Sequence, residues 1–311
     1  MLADEAKTVM AVSGTSSDVV PRGPVLLALH GGELTPSASD VARFIAAANG
    51  LPLRVLTVVD VEPVFSGVPG VAPSASYASE LARQQVQKVR RLVQPIPDEA
   101  ADWVPNVRLG SPVDEIVSAA EDIEASVIVV DASPRQRVRG TVSGRRAIQV
   151  VGRAPCPVLS VRAPSPLPAR TIVAACDFSP ASIRAAQIAM LLASVNTRFV
   201  LVHVPFPVTL EEPIRDRTGA LFGADVAQEL ARVRTVLEPL APPGMVIETR
   251  VLEGRIGQEV LSFAEREQAD LIALGTHGAG PVERFFVGSV AAVVLHEAPC
   301  NVLVSRPSAQ S

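Results

Sequence analysis

APCPVLSVR occupies Ala154–Arg162, and APCNVLVSR occupies Ala298–Arg306, a shift of 144 residues. At the same shift RVLTVVD (Arg54–Asp60) falls on RFVLVHV (Arg198–Val204). Gly110 falls on Gly254, Glu115 on Glu259, Ser118 on Ser262, Ala125 on Ala269 and Gly144 on Gly288. No gap is needed between positions 54 and 159. Upstream, VLLALH (Val25–His30) matches IVAACD (Ile172–Asp177) at a shift of 147. Ordered agreement over several separated segments marks a duplicated unit.

The join is APSPLPAR, Ala163–Arg170, whose three prolines within five residues suit neither a helix nor a central strand. The expected organisation is a tail over 1–21, a first domain over 22–163, a linker over 164–168, a second domain over 169–306 and a tail over 307–311. Within the second half, TIVAAC (Thr171–Cys176) reads as a strand. SPASIRAAQIAMLLAS follows it as a helix, with Ser179 at the N-cap and Pro180 in the first turn. RFVLVHV is a strand, Ala224–Leu237 a helix, VIETRVL (Val246–Leu252) a strand and GQEVLSFAERE (Gly257–Glu267) a helix. ADLIALG (Ala269–Gly275) is a strand, a helix starts at Ser289 and stops before Pro299, and NVLVS (Asn301–Ser305) closes the set. Apolar strands without alternation, separated by helices, predict an α/β fold: a parallel sheet of about five strands in each half, covered by helices on both faces.

The 311 residues suit one large domain or two ordinary ones, and each half is long enough to bury a core. Apolar residues make up 48% of the chain and charged residues 19%, the composition of a globular protein. A net charge of -4 and 4% aromatic content give no electrostatic footprint for nucleic acid. No apolar run reaches the roughly 18 residues of a membrane span. MLADEAKTVMAVSGTSSDVVPRGP (Met1–Pro24) lacks the continuous apolar stretch of a secretion signal. Cys156, Cys176 and Cys300 form no Cys-x-x-Cys pair, and such sparse usage fits a reducing compartment. Cys156 and Cys300, at equivalent strand approaches, are expected to be buried thiols. The expectation is a cytoplasmic protein with no membrane or nucleic-acid partner.

The chemistry is expected along GTHGAGPVERFFVGS, Gly275–Ser289. Gly275 closes a strand, and ligands of open parallel sheets bind beyond the carboxyl ends of the strands. Glycine lets successive N–H groups converge and removes the side chain that would block a phosphate. Gly288-Ser289 opens the next helix, whose free N–H groups favour an anion. The alternative is that these glycines only turn the chain and start a helix. Neither a phosphate-binding loop with its lysine nor a Gly-x-Gly-x-x-Gly after the first strand is present. The pair in GRIG (Gly254–Gly257) reads as a loop, because its counterpart at Gly110–Val113 keeps only the first glycine.

The spacing G-x2-G-x9-G-[ST], followed by VAAVVLHEAPCNVLVSR, resembles the ATP-binding signature of universal stress proteins. Asp177-Phe178-Ser179 matches that family's D-x-S after the first strand, and His203-Val204 its HV closing the second. The likeness covers Ile172–Arg306 and, more weakly, Val25–Arg162. It implies tandem Rossmann-like domains of the adenine nucleotide alpha hydrolase type. It also implies that Gly275, Gly278, Gly288 and Ser289 hold phosphates, joined by the Val290 N–H. Val204 would meet adenine through its main chain, and Asp177 would contact the nucleoside or a phosphate-bound Mg²⁺, unless it only caps a helix beside Ser179. Thr276 and His277 lie in the same loop; for His277 solvation is the alternative to phosphate contact, and for Arg284 the same two readings stand open. His203 reads as a packed histidine.

The first half departs from this pattern. At the corresponding positions Gly275 becomes Asp131, Gly278 becomes Pro134 and Ser289 becomes Arg145, while Gly144 keeps its place. His30 replaces Asp177, and Asp60 replaces Val204. One nucleotide per chain, in the second half, is therefore expected. The resemblance implies a stress-response regulator that binds ATP, with Mg²⁺, and an as yet unidentified protein partner. Its halves would form an internal pseudo-dimer through their last strands, and the whole chain could pair again as a homodimer. No nucleophile–base pair is evident, so binding without turnover is expected. A slow Mg²⁺-dependent ATPase or nucleotidyl transferase is one alternative, and a partner-binding protein with an empty cleft is another.

Overall fold

The computed structural model of the chain describes residues 23–30, 36–59, 79–80, 83–84, 87, 106–132, 143–162, 164–205, 224–276 and 287–306. Asp60, Pro134, His277, Gly278 and Arg284 lie outside the described residues. The described chain divides into two compact units between Val161 and Arg162.

The N-terminal unit runs β1 (Val25–His30), α1 (Pro36–Asn49), β2 (Leu53–Val59), β3 (Asn106–Leu109), α2 (Pro112–Asp122), β4 (Val127–Asp131), α3 (Ser143–Arg153) and β5 (Val158–Val161). The C-terminal unit runs β6 (Thr171–Ala175), α4 (Pro180–Ala189), β7 (Arg198–His203), α5 (Ala224–Leu237), β8 (Ile247–Val251), α6 (Ile256–Arg266), β9 (Leu271–Gly275), α7 (Ser289–Glu297) and β10 (Asn301–Ser305). The strand orders are β3-β2-β1-β4-β5 and β8-β7-β6-β9-β10, so the second unit repeats the first. The pairings within both units are parallel. The expected α/β architecture with parallel sheets is what the chain adopts.

Burial explains the sequence pattern. Every residue of β10 is buried, as are Leu271–Leu274 of β9 and Phe199–Val202 of β7. Strands covered on both faces have no solvent side, and so no alternation. From β6 through β7 to β8 the chain moves outward on one side. It then returns past β6 to β9 and continues to β10. Right-handed crossovers place the helices of these two runs on opposite faces. Accordingly α4 touches α5, and α6 packs on α7.

Two features are common to both copies. Gly110 has φ +152° and Gly254 φ +136°, a region side chains rarely adopt. In each case the glutamate in the following helix, Glu115 or Glu259, folds back over the glycine. A Cβ would stand 3.0 Å from Glu115 Oε1 or 2.7 Å from Glu259 Oε1. Of the GRIG pair read as a loop, Gly254 precedes α6, whereas Gly257 lies in its first turn, as the helix expected over Gly257–Glu267 requires; a Cβ there would sit 3.4 Å from Val293 Cγ1 of α7. The small residue lets the two helices approach.

The proline-rich join is tied into the C-terminal unit. The Arg162 guanidinium donates to the carbonyls of Leu295 (2.6 Å), His296 (3.0 Å) and Ala298 (2.7 Å) at the end of α7. The Arg162 N–H donates to Asn301 Oδ1 at 2.8 Å, and Asn301 Nδ2 donates to Ser165 Oγ at 2.9 Å. Arg170 and Thr171 donate their N–H groups to Asp270 Oδ2. No helix among the described residues is long and apolar enough to cross a membrane.

Candidate functional site

The strand order of the C-terminal unit reverses between β6 and β9, and at such a point the loops leaving the two strands diverge and open a crevice. Asp177 follows β6 and Gly275 ends β9, so the topology brings to one rim two residues nearly a hundred positions apart.

On the β6 side the chain turns into α4. Ser179 is the N-cap, its hydroxyl accepting from the Ser182 N–H at 3.2 Å. Pro180 has no N–H to offer, so this helix start is largely satisfied by its own residues. Asp177 is exposed and accepts the Ser179 N–H on Oδ1 at 3.0 Å. Its second oxygen has no partner among the described residues.

On the β9 side, Gly275 lies against that same helix start. A Cβ there would be 2.8 Å from the Ser182 nitrogen and 3.0 Å from Ala181 Cβ. The need for glycine comes from this approach of strand end to helix. Thr276 is buried; its N–H donates to Ser305 O and its carbonyl accepts the Gly288 N–H, both at 2.8 Å. The Gly288 N–H is therefore committed within the protein, and Gly288 serves to start α7.

The first bond inside α7 runs from Ala292 N–H to Gly288 O at 2.9 Å, and among the described residues no side chain caps the helix start. The N–H groups of Ser289, Val290 and Ala291 thus have no partner within the helix. Together with the positive end of the helix dipole and the exposed Ser289 hydroxyl, they form a corner suited to an anion.

Behind the crevice, His203 ends β7 and is half-buried. Its Nδ1 lies 2.8 Å from Cys176 O, which only accepts, so Nδ1 carries the proton. The Phe178 ring stacks on the imidazole, centroids 4.5 Å apart, and Phe178 has φ +67°. Val204 follows, buried. Burial pushes the Cys176 thiol up to about 11 and those of Cys156 and Cys300 up to about 12, so all three are protonated at neutral pH. Cys300 is buried as expected, whereas Cys156 is only half-buried. Among the described residues no group of three or more His, Cys, Asp or Glu side chains could hold a metal ion. Asp177, Val204, Gly275, Thr276, Gly288, Ser289 and Val290 thus belong to neighbouring ends of β6, β7, β9 and α7. Sequence reading passed over Ser182, Phe178 and Cys176; the left-handed Phe178 carries no local signal, since phenylalanine is an unusual choice there.

The model of the universal stress protein family matches residues 21–162 and again 168–306. The chain belongs to the universal stress protein family. It is 37% identical over 141 residues to a universal stress protein of Thermus aquaticus, covering 44% of this chain and 98% of that one. A universal stress protein of Mycobacterium tuberculosis is 25% identical over 285 residues, covering 88% of this chain and 96% of that one. The crystal structure of a universal stress protein from Archaeoglobus fulgidus shares the fold at 19% identity, with a TM-score of 0.58 over 91% of this chain and 98% of that one.

The two universal stress units present different chemistry at equivalent places. Asp131 ends β4, half-buried, where Gly275 ends β9. Gly144 and Arg145 stand in the first turn of α3, as Gly288 and Ser289 stand at the start of α7. His30 ends β1, where the C-terminal unit continues from β6 to Asp177.

Proposed function

We propose that the C-terminal unit binds one ATP, with Mg²⁺, in the crevice between β6 and β9, and that the protein acts in a stress response through a nucleotide-dependent protein partner. The observation that carries this reading is the open start of α7. Three N–H donors and a hydroxyl stand uncapped among the described residues beside the end of β9, while the neighbouring start of α4 is satisfied by Ser179. A helix start left without a cap beside a topological switch point is suited to phosphate.

Ser289, Val290 and Ala291 would hold phosphate oxygens, and Val204 would offer its main chain to the base. Mg²⁺ would neutralise phosphate charge, and Asp177 fits as its protein partner through Oδ2, which has no partner among the described residues. The first half is read as a scaffold or partner surface. Asp131 sets a carboxylate where a phosphate would approach, which supports one site per chain. The site reads as a holder of nucleotide more than as a hydrolase, because Asp177 Oδ1 and His203 Nδ1 are both engaged in fixing the backbone. A cytoplasmic setting belongs to the same proposal.

Titration of the full chain with MgATP by calorimetry tests the reading, together with mass identification of any nucleotide released on heating. A stoichiometry near one is expected. No heat of binding and no released nucleotide would overturn it.

A further inference from the structure

We infer that His203 is a positioning residue for the nucleotide site: its imidazole clasps the backbone on both sides of Asp177 and sets that carboxylate at the rim of the crevice. The inference rests on the ATP-site reading above and names a residue on which the site depends.

The chain has to turn sharply between the end of β6 at Ala175 and the start of α4 at Pro180. It does so with Phe178 at φ +67°, a conformation costly for a bulky side chain and kept only where its surroundings fix it. His203 provides that surrounding from the neighbouring strand. Its Nδ1–H donates to the carbonyl of Cys176, one residue before Asp177, at 2.8 Å. Its ring face meets the ring of Phe178, one residue after Asp177, at 4.5 Å and 33°. The backbone of Asp177 is held from both sides. Its Oδ1 is then taken by the Ser179 N–H at 3.0 Å, which leaves Oδ2 for a ligand.

The other half of the chain supports the same conclusion. Where the C-terminal unit reads Asp177-Phe178-Ser179, the N-terminal half reads His30-Gly31-Gly32, and where it has His203 the first half has Val59. The carboxylate, the stacking ring and the imidazole are absent together. If His203 served only to fill the end of β7, nothing would link it to the residue after β1.

The test uses the full chain and MgATP titrations of wild type, His203→Ala, His203→Asn, Asp177→Ala and the Asp177→Ala/His203→Ala double variant. Asparagine places an N–H near the position of Nδ1 and so keeps the bond to Cys176 O. His203→Ala should weaken ATP binding about three- to tenfold, the worth of a lost hydrogen bond, and His203→Asn should recover most of it. In the Asp177→Ala background the His203 change should add nothing, because it acts through the missing carboxylate. Independent losses that multiply, or wild-type affinity in His203→Ala, would overturn the inference. Should His203→Ala fail to fold, His203→Gln replaces it, since its amide reaches beyond the Nδ1 position. Amide exchange at Ser179 gives a readout without nucleotide: faster in His203→Ala and restored in His203→Asn. Unchanged Ser179 exchange would sink the clasp even where ATP binds. Absent ATP binding with altered exchange would keep the clasp and reject the nucleotide reading.

Discussion

Gly275 ends β9 so close to the Ser182 nitrogen that an added Cβ would lie 2.8 Å from it, with Ala181 Cβ at 3.0 Å. Both neighbours belong to the first turn of α4 and cannot swing aside as the tip of a long side chain could. Gly275→Ala should therefore destabilise the C-terminal unit by about 1–3 kcal/mol, the usual cost of forcing an extra carbon into packed structure. Urea unfolding of the full chain measures it. Unchanged stability would mean that β9 and α4 separate more easily than this contact implies.

Gly254 and Gly257 stand three positions apart and should respond to a larger side chain by very different amounts. Gly254 has φ +136° and lies under the Glu259 carboxylate, so Gly254→Ala combines backbone strain with a clash. A loss of about 1–3 kcal/mol is expected. Gly257 is helical, and its nearest neighbour stands at 3.4 Å. Gly257→Ala should change stability by less than about 1 kcal/mol, because helix propensity offsets the slight crowding. Thermal unfolding of the two variants separates these outcomes.

The sequence carries local information well and distant contacts poorly. Continuous apolar runs placed β6, β7, β9 and β10 within one or two residues of their ends, since doubly covered strands have no polar face to confuse the pattern. Ser179-Pro180 marked the start of α4, and Pro299 the end of α7. The glycine at 275 was legible as a special position, but its cause was not: Ser182 approaches it only after the sheet has formed. In GRIG the helix beginning near Gly257 is legible, but its close approach to Val293 on α7 is not. His203 beside Val204 marked a strand end, yet its bond to Cys176, 27 residues earlier, has no pattern in the chain.

Arg198, Glu248 and Glu267 give the C-terminal unit a pH-dependent component. Arg198 Nε donates to Glu248 Oε1 at 2.8 Å, and its guanidinium also pairs with Glu267. The hydrogen bond and charge of Arg198, with Arg250 adding its charge, hold the Glu248 carboxyl below the usual carboxylate range. A depressed folded value stabilises above the unfolded pKa of about 4.3 and is lost as pH falls through the folded value. These groups are partly exposed, so about 0.2–1 kcal/mol is expected. The stability difference between wild type and Glu248→Gln should be constant near neutrality and shrink as the pH drops below about 4.3. A difference that grows in acid would contradict the assignment.

Arg162 closes the far end of α7 with bonds to the carbonyls of Leu295, His296 and Ala298, a cation at the negative end of the helix dipole. Arg162→Ala should cost about 2–4 kcal/mol, because charged hydrogen bonds are worth more than neutral ones and the freed carbonyls are partly buried. Lysine should recover only part, as it cannot span three acceptors with a planar fork. Denaturant unfolding monitored at amides of α7 would register the loss there first; uniform behaviour across the unit would count against this cap.

The start of α7 permits a test of anion binding that leaves the fold intact. Gly288 has φ −56° and ψ 152°, the extended geometry that a following proline requires of its predecessor. Ser289 is the first helical residue, where proline is well tolerated because the N–H it lacks has no partner in the helix. Ser289→Pro should therefore keep the Gly288 N–H bond to Thr276 and the helix itself, with thermal stability close to wild type. It removes the hydroxyl and one of three N–H donors together. If these groups hold phosphate, MgATP affinity should fall about tenfold or more, since hydrogen bonds to charged groups carry about 1.5–3 kcal/mol each. Ser289→Ala, which removes the hydroxyl alone, should fall between the two. Full affinity in Ser289→Pro with unchanged stability would place the phosphates elsewhere and remove the main support for the site.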